Sequence, residues 1–124
     1  DYIDTLKNRQ KNIIFCGDIN TAHKEIDLTR PKENVNTSGF MPVEREWINR
    51  FIEHKYIDTF REFHSEPNQY TWWDQKTRAR ERNIGWRIDY FFITQNLRSL
   101  LIDAFIHQDI FGSDHCPLGI TLSF

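Results

Sequence analysis

Two polar turns and one strand carry the residue types from which hydrolytic chemistry is built. Near the C-terminal end, Gly112-Ser113-Asp114-His115-Cys116-Pro117 sets a carboxylate beside an imidazole, with small residues ahead and a proline behind to fix the backbone. A second turn, Gly17-Asp18-Ile19-Asn20, directly follows the apolar run Ile13-Ile14-Phe15-Cys16. Adjacent residues face opposite ways on a strand, but at a loop tip both reach one ligand, so two such tips read as two sides of one site. Taken alone, the hexapeptide is equally compatible with a plain surface turn. The third element is Trp86-Arg87-Ile88-Asp89-Tyr90-Phe91-Phe92-Ile93, whose alternation puts Asp89 on a face with Phe91 and Ile93. A carboxylate there costs several kcal/mol unless it is paired, and His115 is the best available donor.

No serine or cysteine lies beside a base, so the set suits attack by water better than a covalent intermediate. Phosphodiester cleavage needs an aligned water, neutralised phosphoryl oxygens and support for the leaving oxyanion. Asp18 can orient and deprotonate the water, a contribution of about 10²- to 10⁴-fold. Asn20 can hold that geometry or donate to the developing oxyanion. His115, kept charged by Asp89, can bind phosphate. Asp114, with Asp18 and Asn20, offers hard oxygen ligands for Mg²⁺, with Mn²⁺ as a substitute.

At 124 residues the chain is sized for one domain, and 15% aromatic content, with four Trp and ten Phe, marks a packed protein rather than a disordered one. There is no run of eighteen apolar residues, and no basic-then-apolar leader opens the chain, so no membrane or export signal is expected. Two cysteines, Cys16 and Cys116, make no disulfide framework and favour a reducing compartment, the cytoplasm or a nucleus. The net charge of −2 argues against a nucleic-acid binder, yet Lys76, Arg78, Arg80, Arg82 and Arg87 against Glu81 give a local +4, leaving −6 elsewhere. A basic loop beside an acidic site is what cleavage of a polyanion with a divalent cation requires. A solvated arginine-rich loop with no partner is the alternative.

The elements that must position these groups follow from pattern. Tyr2 to Arg9 reads as the last turns of a helix, so the chain is expected to begin mid-protein. Ile13 to Cys16 reads as a short, fully buried strand, and Thr21 to Phe40 as a long functional loop. Pro42 to Glu53 carries Val43, Trp47, Ile48, Phe51 and Ile52 on one face and predicts a helix lying on a sheet, with Trp47 in the core. Tyr56 to Phe60 is extended or turn-like, Arg61 to His64 adds a helical turn, and His54 and His64 read as solvated. Tyr70 to Trp73, Trp86 to Ile93, Leu101 to Ile106 and Leu118 to Phe124 are strands, with a short helix over Asn96 to Leu100. Five strands and about three helices give an α/β class.

Together, Gly17-Asp18-Ile19-Asn20, Trp86-Arg87-Ile88-Asp89-Tyr90-Phe91 and Gly112-Ser113-Asp114-His115-Cys116-Pro117 resemble the three C-terminal signatures of exonuclease III-type apurinic/apyrimidinic endonucleases, in the endonuclease/exonuclease/phosphatase superfamily. Ala22-His23-Lys24-Glu25-Ile26-Asp27-Leu28, Gly39-Phe40-Met41-Pro42-Val43-Glu44-Arg45 and Ala79-Arg80-Glu81-Arg82-Asn83-Ile84-Gly85 resemble intervening segments of the same family. The resemblance implies half of a four-layer, DNase I-like α/β sandwich, with a mostly antiparallel sheet and helices on one face. It also implies a Mg²⁺-dependent cut 5′ to an abasic site in double-stranded DNA, with 3′→5′ exonuclease action as a possible companion. Asp18 is then the proton acceptor, Asn20 transition-state support, Asp89 the partner of His115, and Asp114 a neighbour of the metal. Trp86 and Trp72 match the walls of a pocket for the flipped-out sugar, and Asn34 a position near the DNA backbone. On composition Trp72 is as compatible with plain core. Lys76-Thr77-Arg78 stands where some relatives carry an apolar wedge, so phosphate contact by Lys76 and Arg78 is expected instead.

The family's metal-binding Glu, a further Asn and a catalytic Tyr belong to an N-terminal half that residues 1 to 124 do not contain. The expectation is therefore a C-terminal half that is inactive alone and self-associates through an uncovered sheet face. Two rival readings stay open: a non-catalytic module that binds nucleic acid or associates with itself, and a superfamily phosphatase acting on a small phosphate ester.

Overall fold

The computed structural model describes residues 12–124, so the helix expected over Tyr2 to Arg9 lies outside the described residues. A three-stranded antiparallel sheet forms the centre, in the order β1 (Ile14–Asp18), β5 (Asp89–Thr94), β2 (Tyr56–Asp58). Helix α1 (Pro42–Glu53) covers one of its faces, burying Ile48 and Phe51 against Tyr56, Tyr90 and Phe92. A short helix, α2 (Thr59–Phe63), follows β2 directly. Two further pairs complete the described residues: β3 (Trp72–Trp73) with β4 (Gly85–Trp86), and β6 (Leu101–Ile106) with β7 (Leu118–Leu122). The last pair packs Leu101, Ile120 and Leu122 on Ile93 and Leu97.

Helix α1 starts where proline needs no amide donor, and the Glu44 carboxylate turns back to accept the N–H groups of Met41 (3.0 Å) and Gly39 (2.7 Å). That bond ties the helix start to the preceding loop, which contains two 3₁₀ turns, Glu25–Asp27 and Lys32–Asn34, rather than being irregular throughout. Gly39 has a φ of +107°, and a Cβ there would lie 2.9 Å from the Trp86 ring. Only glycine allows this approach.

Four expectations need correction. β1 is not fully buried: among the described residues it is an edge strand paired to β5 alone, and alternation turns Phe15 onto Phe51 (5.8 Å) while Ile14 and Cys16 stay exposed. Trp47 is not core: it stacks on Phe51 at 5.4 Å but remains 48% exposed, because the apolar stripe of α1 is wider than the sheet beneath it. His64 is not simply solvated, since its Nε2 lies 2.8 Å from the Ala104 carbonyl across α2 and β6.

The fourth correction concerns Trp86 to Ile93, which is two strands. The Arg87 N–H donates to the Asp27 carbonyl (2.7 Å) and the Ile88 N–H to the Thr71 hydroxyl (3.0 Å), so the chain leaves β4 and joins a different sheet as β5. That switch, together with the pairing of Tyr56–Asp58, raises the number of described strands to seven. It also buries Arg87, whose guanidinium donates to Asp27 (2.8 Å) and Asp58 (3.0 Å), while Arg61 reaches Asp27 from the other side (2.6 Å). A residue counted as part of a phosphate-binding loop is thus internal.

Candidate active site

Antiparallel pairing brings the first two carboxylates together. Asp18 ends β1 and Asp89 begins β5, and the register makes them cross-strand partners. Their Cβ atoms therefore share one end of the central sheet. The third group arrives from the connection between β6 and β7. That turn is stitched to β3 by the Cys116 N–H on the Thr71 carbonyl (2.9 Å) and the Trp73 N–H on the Asp114 carbonyl (3.2 Å). Between those bonds His115 projects at the two acids.

The His115 ring faces one carboxylate with each nitrogen: Nδ1 lies 2.8 Å from Asp89 and Nε2 3.7 Å from Asp18. Burial pulls the imidazole pKa down, but the Asp89 hydrogen bond and the charges of Asp89, Asp18 and Asp114 outweigh it, leaving His115 above its ordinary value. Burial is the main influence on Asp89 and pushes its pKa up, opposed by hydrogen bonds from Thr71 and His115. The result is an oriented imidazole whose protonated form is favoured, beside a half-open carboxylate. The ligand atoms of Asp18, Asp89 and His115 all lie within 4.8 Å of one another, close enough to share one cation.

Asn20 sits beside this group with a φ of +58°, a conformation asparagine tolerates, and its backbone N–H donates to the Asp18 carboxylate (2.8 Å). Asp114 belongs to the same turn as His115, but its carboxylate accepts from the Trp72 indole N–H at 3.1 Å. That bond is the main reason its pKa lies below the ordinary carboxylate range. Cys116 next door is inert at neutral pH, its thiol pushed up to about 11 chiefly by burial.

Trp72 and Trp86 are cross-strand partners in β3 and β4 and pack on Ala22, Leu28, Phe40 and Ile88. With Asn34, Arg30 and Asp74 they also line a cavity of about 220 Å³. Asn34 is tied back by its side-chain N–H to the Arg30 carbonyl (2.7 Å). Lys76 and Arg78 are exposed, Arg78 in a surface pair with Glu81 at 2.7 Å. The basic loop is weaker than its composition suggests: Arg87 is buried, and Arg80 donates to three backbone carbonyls.

Two features of the site carry no local signal. The Thr71 hydroxyl accepts the N–H groups of Ile88 and Asp89 (3.0 and 3.2 Å) and so fixes the start of β5 from 17 and 18 residues away. Val43, Glu44 and Trp47 of α1 line a cavity of about 510 Å³ with Asp18, Ile19 and Thr21, although the apolar spacing of Val43 and Trp47 points to core.

A sequence model of the endonuclease/exonuclease/phosphatase family matches residues 1–115. The exodeoxyribonuclease of Bacillus subtilis is 45% identical over 117 residues, covering 94% of this chain and 46% of that protein. The DNA-(apurinic or apyrimidinic site) endonuclease of Dictyostelium discoideum is 42% identical over 123 residues, covering 98% of this chain and 34% of its own length. The crystal structure of the AP endonuclease LMAP from Leishmania major superimposes with a TM-score of 0.85 at 33% identity, covering 90% of this chain and 35% of that one. The described fold is thus the mixed α/β, antiparallel architecture of DNase I-like nucleases, and the chain spans less than half the length of each of these relatives.

Proposed function

This chain belongs to the endonuclease/exonuclease/phosphatase family, and we propose that its site serves Mg²⁺-dependent hydrolysis of phosphodiester bonds in DNA, cutting 5′ to abasic sites. The observation that carries the reading is the convergence of Asp18, Asp89 and His115 at one end of the central sheet. Two relatives named as nucleases, one of them for apurinic or apyrimidinic sites, support the substrate class.

The donor set fits a hard cation. Mg²⁺ takes oxygen ligands, uses one or two carboxylates and keeps several waters. Asp18 and Asn20 would hold it, with Asp114 adding charge nearby, whereas His115 is committed to Asp89 and is the poorer ligand for Mg²⁺. When bound, the ion supplies charge neutralisation at the phosphoryl oxygens.

The residues do the rest. Asp18, half-exposed and oriented by the Asn20 N–H, accepts the proton of the attacking water. His115, protonated and aimed by Asp89, donates to a non-bridging phosphoryl oxygen and stabilises the charge that grows there. The Asn20 amide supports the same developing charge. Trp72 and Trp86 wall the pocket for an extruded sugar, and Asn34, Lys76 and Arg78 contact the backbone. Exposed Ile14 and Cys16 along the β1 edge form the surface on which another sheet packs, or a second copy when this chain is alone. On this reading residues 1–124 by themselves do not nick DNA, and the protein acts in the cytoplasm or nucleus.

The test uses the protein as its gene encodes it, with Mg²⁺ and a duplex bearing one abasic site. Asp18→Asn and His115→Asn should each slow nicking by about 10²- to 10⁴-fold. If the parent leaves the duplex intact, or both variants nick as fast as the parent, the assignment is wrong. Hydrolysis of a small phosphate ester without duplex cleavage would instead point to a phosphatase.

A further inference from the structure

Arg80 sits in the 3₁₀ turn Ala79–Arg82, within the stretch whose composition suggested phosphate binding. Both of its terminal nitrogens are already engaged, and its Nε is buried without a hydrogen-bond partner among the described residues. One terminal nitrogen donates to the carbonyls of Gln108 and Ile110, each at 2.7 Å, and the other to the carbonyl of Ser113 at 3.3 Å. Two rings also pack against it, with Cζ 4.3 Å from the Trp73 centroid and 4.1 Å from that of Phe111. A guanidinium packed against two rings, with both terminal nitrogens bonded to carbonyls, presents no free fork to a phosphate.

What these bonds hold is the segment that leads into Asp114 and His115. The base of that connection is closed by the His107 N–H on the Pro117 carbonyl (2.8 Å), and Gln108 is tied to the Tyr70 N–H (2.8 Å). Beyond Gln108 the chain turns through Gly112 at a φ of +125°, where an added Cβ would meet nothing within 4 Å, so this residue has no packing of its own. Phe111 is 74% exposed, so it is not anchored by burial. Three carbonyls spaced over six residues converge on one side chain. A lysine ammonium has no planar fork and does not stack in this way.

We propose that Arg80 is a positioning residue: it clamps residues 108–113 and thereby sets where the Asp114–His115 turn stands relative to Asp18 and Asp89, without touching substrate. The inference deepens the nuclease reading and rests on it for its kinetic consequence. Misplacing reacting groups by about 1 Å costs on the order of 10²-fold in rate. The clamp therefore acts on the chemical step, whereas a phosphate contact acts on binding and its salt dependence.

The experiment compares Arg80→Lys and Arg80→Gln with the parent, again in the gene-encoded protein. Both variants should lower kcat by about 10- to 100-fold with KM nearly unchanged. The slope of log binding constant against log salt should stay at the parental value, and amide hydrogen exchange over residues 108–113 should speed up while α1 and β5 stay protected. Rescue by Arg80→Lys, together with a slope reduced by about one in Arg80→Gln, would make Arg80 a phosphate contact and overturn the proposal. Phe111→Leu removes one of the two rings packed on Arg80 at an exposed position, so it reads the clamp even if the Arg80 variants fail to fold. It should shift kcat and local exchange in the same direction by less, and parental values in both would also overturn the proposal. Because exchange is measured without substrate, it reports on the clamp even if the parent makes no nick, in which case the nuclease reading alone falls.

Discussion

Among the described residues a basic side chain stands between two aspartates twice, and the two clusters have opposite characters. In the first, Arg87 is 1% exposed between Asp27 and Asp58, with Arg61 completing the coordination of Asp27. In the second, His115 stands between Asp89 and Asp18 with the imidazole and the Asp18 carboxylate about one-third exposed. The first uses a cation that never titrates and satisfies the lone pairs facing it. The second uses one whose charge depends on its protonation, with its pKa raised above the ordinary value, and leaves Asp18 free on one side. Burial pulls Asp27 upward, but the Arg87 charge and its hydrogen bonds outweigh it and hold the acid below its ordinary range, whereas burial pushes Asp89 up. The same residue types thus make a rivet where water is excluded and an open, titratable cluster, the proposed reactive site, where one side is exposed.

The largest effect is expected at the rivet. Arg87→Met leaves the buried Asp58 without its cation and Asp27 with Arg61 alone, and should destabilise the fold by about 3–5 kcal/mol. Thermal unfolding would register the loss, and activity should disappear only in proportion to unfolding. His115→Asn should do the reverse, removing activity with the melting temperature nearly unchanged. Should Arg87→Met melt like the parent, the distinction between the clusters would have to be abandoned.

Where a pattern is local, it can be read. Helix α1 has the bounds that Pro42 and its apolar spacing predict, and β6 runs from Leu101 to Ile106 as its composition suggests. The Asp89 and His115 pair was also legible, because a carboxylate on an apolar face demands a donor and few are available. The cross-strand partnership of Asp18 and Asp89 was not, since register depends on pairing between segments about seventy residues apart. Arg87 was misread for the same reason: Asp27 and Asp58, which bury it, lie 60 and 29 residues away. Arg80 looked like one more loop cation because the carbonyls it holds belong to a segment about thirty residues further on.

The two clusters should also respond to pH in opposite directions. The folded-state pKa of His115 is raised above 6.5, so the stability it contributes is complete below that value and is lost as pH rises through the folded-state pKa. The raised pKa of Asp89 acts in the same direction from 3.8 upward. Asp27, held low, contributes stability present above 3.8 that is lost as pH falls through its folded-state pKa. Asp89→Asn should therefore flatten the alkaline fall in melting temperature and leave the acid fall in place. It should also move the alkaline limb of the nicking rate to lower pH, since His115 loses its strongest upward influence. Melting curves and rates measured across pH would check both limbs, and an acid limb that vanished with Asp89→Asn would tie the clusters together.

The smallest change concerns Asp114, the acid of the open site whose partner is neutral. Its carboxylate accepts the Trp72 indole N–H, which joins the proposed pocket wall to the turn that carries His115. Trp72→Phe keeps an aromatic ring at the position but removes the indole N–H together with the fused five-membered ring. Because the bond lies at a solvent-exposed carboxylate, water can replace it, and the expected result is a few-fold rise in KM for the abasic duplex with kcat and melting temperature close to parental. Asp114→Asn retains an oxygen acceptor for the indole and should leave KM closer to parental than Trp72→Phe does. A fall in kcat for Trp72→Phe as large as that for His115→Asn would mean that the indole governs the reacting groups themselves, and the open cluster would then extend from Asp18 through Asp114 into the pocket wall.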